Sequence, residues 1–225
     1  MSRSPFFGTI SSDITTFLSQ TLLKKQAMQD DLWYRPLVWM DYKIAVLFAI
    51  LAPLVLLVWA LIKRSEAITR LLIIYWRVAS LLMIALYLLI PAWRIGFVAS
   101  FCGRILIPLS LWFWVDLNEE IDDRPPDLLK LLLTAWRWAM TVYCGIGAIA
   151  TLPFLSCAFN PNVIETPACR VWLEAPWLYK ALLHNEASPG VVGFFGAVGL
   201  CLYIVYFAYF ILIRLGRQGR SALEQ

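Results

Sequence analysis

Three arginines stand in stretches that are otherwise hydrocarbon: Arg77 in LLIIYWRVAS, Arg104 in FCGRILIP and Arg137 in LTAWRWAM. A guanidinium in a bilayer core is expensive unless it is paired or its head reaches the interface. The nearest supply of opposite charge is Asp116, Glu119, Glu120, Asp122, Asp123 and Asp127, six carboxylates within twelve residues. Arginine facing carboxylate makes an ion pair that fixes helix packing. The same residue types could instead hold an anion or a lipid phosphate, or carry a proton path. The sequence leaves these uses open.

The arginines define what must position them. Arg77 and Arg137 each lie about two helical turns in from the same end of their apolar spans. The span that carries Arg104 descends to that end and delivers Asp116 there, with Glu119 and Glu120 following on its face if the helix continues. This predicts a carboxylate of Asp116 or Glu120 within hydrogen-bond distance of Arg77 or Arg137, and Glu119 in the same cluster. Arg104 sits nearer the opposite end, and the sequence shows no partner for it.

Composition sets the class. The chain is 61% hydrophobic and 15% charged, with a mean hydropathy of +0.72. Soluble domains are nearer a quarter charged, so long uncharged runs here mean a multi-pass membrane protein. A net charge of +4, dispersed along the chain, gives no reason to expect nucleic acid. His184 is the single histidine, which excludes a bis-histidine haem or a multi-histidine metal site built from this chain alone. It reads as an interfacial histidine, although a lone histidine could also ligate a chlorophyll magnesium. No phosphate-binding glycine loop, nucleophile elbow, zinc-protease motif or Cys-x-x-Cys is present. The carboxylate run lacks the alternating ligands of a calcium loop and reads as a solvated acidic loop. No cofactor is expected.

The expected fold is all-α: a polytopic membrane bundle of about five spans, preceded by an N-terminal amphipathic helix. Residues 1–43 form an interfacial tail, with Ile10, Ile14, Phe17, Leu18 and Leu22 at helical spacing and an aromatic belt of Trp33, Tyr34, Trp39 and Tyr42. No cleavable signal peptide is expected, because the first forty residues hold no continuous apolar run. The bundle occupies residues 44–213, in spans near 44–62, 71–92, 97–117, 128–155 and 191–213, and a basic tail follows over 214–225. Glycines 190, 193, 196 and 199 open the last span and suit close helix contact. The stretch 71–79 faintly echoes 131–139, and both begin spans at the same end.

Counting Lys and Arg in the connections gives eight on the acidic-loop side and three on the other, which puts the acidic loop and the C-terminus in the cytoplasm. The loop over residues 156–189 then faces an oxidising compartment, and its two cysteines, Cys157 and Cys169, are expected to form a disulfide.

Several stretches together resemble a known family. They are RPLVW from Arg35, SEAI from Ser65, YWRVAS from Tyr75, RILIP from Arg104, LWFWVDLNEEIDD from Leu111 and CRVWLE from Cys169. The long string is distinctive; the others are short. The chain resembles a multi-pass membrane protein family of cyanobacteria that carries only a domain-of-unknown-function label. The resemblance spans about residues 33–221. It implies a photosynthetic bacterial source and a thylakoid or plasma membrane, and it brings no catalytic residues. With the absent motifs and the 11 tryptophans, it suggests a non-enzymatic accessory or assembly factor that contacts membrane lipid and larger photosynthetic complexes. A small transporter or ion-conducting protein using the Arg/Asp cluster is the alternative, and a lipid-modifying enzyme comes third.

Overall fold

A computed structural model describes residues 32–215 of the protein. The expected amphipathic helix around residues 10–24 and the tail arginines 217 and 220 lie outside the described residues. Seven helices and no strands occur among the described residues: α1 (Arg35–Ile62), α2 (Glu66–Leu89), α3 (Ile95–Trp112), α4 (Val115–Asp123), α5 (Leu128–Thr151, continued by short turns to Phe159), α6 (Pro167–Leu183) and α7 (Pro189–Tyr209). Five of them, α1, α2, α3, α5 and α7, are long and apolar enough to cross a membrane. The protein is a polytopic helix bundle.

The first span begins at Arg35 rather than near residue 44, so Trp39, Asp41, Tyr42 and Lys43 belong to a membrane helix and not to a tail. Its start fits helix chemistry, since Pro36 stands in the first turn, where its missing N–H is not needed. Midway, residues Val46–Leu51 take π geometry. Pro53 explains part of this. It has no N–H for the carbonyl of Ala49, and Ala52 donates one residue further back, to Leu47. Two carbonyls are thereby freed in an apolar setting. Tyr75 on α2 donates its hydroxyl to Ala49 O at 2.8 Å, and Trp136 on α5 donates Nε1 to Phe48 O at 2.8 Å. A sequence irregularity in α1 is thus converted into two side-chain bonds that bind three helices together. Around it lies the main core, with Ile68, Leu71, Leu72, Ile107, Leu111, Leu129 and Leu133 fully buried.

One end of the bundle carries the disulfide region. Cys157, just past α5, is bonded to Cys169 on α6, with Cα atoms 5.9 Å apart. Helix α6 in turn holds the start of α1: Glu174 accepts from Arg35 Nε at 3.1 Å and from Trp39 Nε1 at 2.7 Å. Tyr42 donates to the carbonyl of Trp172 at 3.0 Å. The other end carries the acids. The chain breaks helix at Trp114, which is extended, and restarts as α4, whose Leu117 and Ile121 are buried. The stretch expected to be an acidic loop is therefore mostly a short amphipathic helix. Asp127 caps α5 by accepting from the Leu128 N–H at 2.7 Å.

Helix α7 is the outlier. Only 6% of its most apolar window is buried, against 22–39% in the other four spans. It meets α2 most closely along its glycines, with Ala197, Leu200 and Tyr203 packed beside them. A Cβ on Gly196 would lie 3.1 Å from the backbone nitrogen of Leu88, so the two helices approach at backbone distance there.

Candidate functional site: the intramembrane arginines

Arg104 sits at the middle of α3, 7% exposed, and its partner is Asp41. Nη1 donates to Asp41 Oδ1 at 3.1 Å and Nη2 to Oδ2 at 2.5 Å, a two-pronged pair across α3 and α1. Tyr143 on α5 adds a third arm, donating its hydroxyl to Asp41 Oδ1 at 2.9 Å and to Asp41 O at 3.1 Å. The guanidinium also lies 5.8 Å from the Tyr143 ring centroid. The fit depends on Gly147: a Cβ there would fall 2.0 Å from Arg104 Nη1. A buried charge is thus neutralised, and three helices are fixed by one centre.

Arg137 is handled differently. It is 2% exposed, and Nη2 donates to the carbonyl of Leu111 at 2.9 Å and to Asn118 Oδ1 at 2.7 Å. Its guanidinium carbon lies 4.1 Å from the centroid of the Trp112 ring. Trp112 is held in turn by Thr141, which accepts from its Nε1 at 2.9 Å. Arg77 is exposed on α2 and donates to the hydroxyl of Tyr206 on α7 at 3.1 Å. The two arginines that echo each other in sequence therefore occupy unlike settings.

The expected cluster of Arg77 and Arg137 with Asp116, Glu119 and Glu120 does not form. The reason is the break at Trp114. A continuous helix would have kept Asp116 and Glu120 in line with the face of α3; the restart turns Leu117 and Ile121 to the core and places Asn118 against Arg137. Asp116, Glu119 and Glu120 line an open polar groove with Arg64, Ser65, Glu66 and Arg124 at the end of the bundle. Arg124 there donates to the Ser65 hydroxyl, and Lys130 donates to the carbonyls of Asp122 and Arg124 at 2.6 and 2.8 Å. Among the described residues no three His, Cys, Asp or Glu side chains converge as a metal site.

Asp41, Tyr143 and Asn118 are the residues that sequence reasoning missed. A signal for Asp41 existed: with the helix started at Pro36, a lone carboxylate stands inside an apolar span and needs a cation. His184 lies at the disulfide end, its Nε2 3.3 Å from the Tyr87 hydroxyl. Tyr179 stands beside Tyr87 too, and burial, aided by that hydroxyl, pushes its phenol up to about 12.

Over residues 35–223 the chain matches the family described as protein of unknown function (DUF3177). The chain belongs to that family. The match takes in all five spans, both arginine centres and the disulfide. No curated protein and no solved structure matches the chain. The family therefore supplies membership, and the assignment of roles rests on the geometry.

Proposed function

We propose that the protein is a non-enzymatic accessory or assembly factor for larger photosynthetic membrane complexes in the thylakoid or plasma membrane of a cyanobacterium. The observation that carries this reading is α7. Its outward surface, with Phe194, Phe195, Leu202 and Val205 all more than 60% exposed, is left open along the whole span, and the helix is the least buried of the five spans. The buried arginines support the same reading, because each is held by fixed partners on neighbouring helices, as packing devices are. In this reading the acidic end faces the cytoplasm and offers its carboxylates to basic partners. The disulfide at the opposite end suits an oxidising compartment.

The test is co-purification of the tagged protein from its native membrane in mild detergent. Recovery with subunits of a photosynthetic complex, lost when Phe194, Phe195 and Leu202 are changed to Ala while the protein itself still accumulates, is the expected result. Recovery as a lone monomer or homodimer would contradict the proposal and favour transport.

A further inference from the structure

Between the first half of α1 and the faces of α2 and α3 runs a groove of about 220 Å³. The two helices α1 and α2 pack mainly through Ala52–Ile62, so the start of α1 stands off and leaves this space. Its walls are apolar: Ala45, Ala49, Ile50, Leu82, Met83 and Leu86. Val46, half exposed, is part of its lining, so the groove opens sideways toward lipid. Polar side chains line it too, and those of Asp41, Tyr42, Ser80 and Tyr143 are hydrogen-bonded within the bundle. Two buried donors are not. Arg104 Nε and Trp76 Nε1 are buried, have no hydrogen-bond partner, and belong to side chains that line the groove.

Both of these groups are donors only. Arg104 has used Nη1 and Nη2 on Asp41, and Nε remains. A buried N–H without an acceptor is costly, more so on a cation. The complement to two N–H donors in an apolar slot open to the bilayer is an uncharged acceptor on a hydrocarbon body. The cation is already neutralised by Asp41, so an anionic head is not called for. We infer that this groove binds a membrane-soluble molecule through a carbonyl oxygen, which accepts from Arg104 Nε or Trp76 Nε1 while its chain lies along α1 and α2. The carbonyl can belong to the ring of a quinone or to the ester of a diacyl lipid. The inference goes beyond the accessory role and does not depend on it.

Calorimetric titration of the purified full chain in detergent tests it, with decyl-benzoquinone and dioctanoyl phosphatidylglycerol as separate probes. Saturable binding of at least one is expected; quinone alone identifies a ring carbonyl, glycerolipid alone an ester, and both the shared chemistry. Trp76→Phe keeps a ring and removes a donor. It should weaken binding about five- to tenfold, the worth of one hydrogen bond. Val46→Trp narrows the groove from an exposed position and should abolish saturable binding. If Trp76→Phe does not fold, Val46→Trp decides alone. Absence of saturable binding for both probes, or wild-type affinity in the folded variants, overturns the inference and leaves the two donors to water.

Discussion

Arg104 and Arg137 are both almost completely buried, yet one is neutralised by charge and the other is solvated by neutral groups. Arg104 has a carboxylate on two nitrogens and a tyrosine behind the carboxylate. Arg137 has a backbone carbonyl, an amide oxygen and an indole face. The difference follows what each arginine packs against. Arg104 faces α1 and α5, which present Asp41 and Tyr143. Arg137 stands beside α4, where the helix break exposes the carbonyl of Leu111 and brings in Asn118. A buried cation can be held by a counter-charge or by well-placed dipoles, and this bundle uses both.

The largest effect should come from removing the counter-charge. Asp41→Asn leaves Arg104 buried and unpaired, which costs about 3–5 kcal/mol, and the protein should accumulate poorly. Near-normal abundance and thermal stability would erase the contrast between the two sites.

Next comes the clamp that seats α1 for Asp41. Cys157→Ser together with Cys169→Ser should cost about 3 kcal/mol by releasing loop closure, read as a lowered melting temperature in detergent. Mass analysis after alkylation without reductant should find these two cysteines protected. Two alkylated thiols there would contradict the bridge and the oxidising side together.

Asn118→Ala probes the neutral cage. It removes one bond to a charged group, worth about 1.5–3 kcal/mol, and should destabilise less than Asp41→Asn. A loss equal to or above that of Asp41→Asn would mean the two arginines are held alike. Gly147→Ala sharpens the steric side of the comparison. Its Cβ would strike Arg104 Nη1, and overpacking of this kind costs about 1–3 kcal/mol. The matched change at Gly145, whose Cβ would have open space, should be close to neutral.

The spans were legible because burial in lipid is a property of each helix alone, and hydropathy sums it residue by residue. The two-cysteine loop was legible because topology isolates it from the other thiols. The Arg104 pair was not, for a definite reason. Arg35, Asp41 and Lys43 lower the apparent apolarity of the first span, so the uninterrupted apolar run starts after them. Each of Arg35 and Asp41 is offset by a partner more than sixty residues away, Glu174 and Arg104, and no window along one helix registers that. The Arg137 site failed on direction. Carboxylates dominate the stretch after Trp114, but a change of direction at one extended residue decides which side chain arrives. It was an asparagine that no charge argument would choose.

The claim that most of this rests on is that Asp41, inside the first span, neutralises Arg104. A double-mutant cycle with Asp41→Asn and Arg104→Gln, read by thermal unfolding in one detergent, tests it directly. The double variant should be more stable than Asp41→Asn alone, with a coupling of about 1–3 kcal/mol. Single effects that simply add, to within about 0.5 kcal/mol, would contradict it.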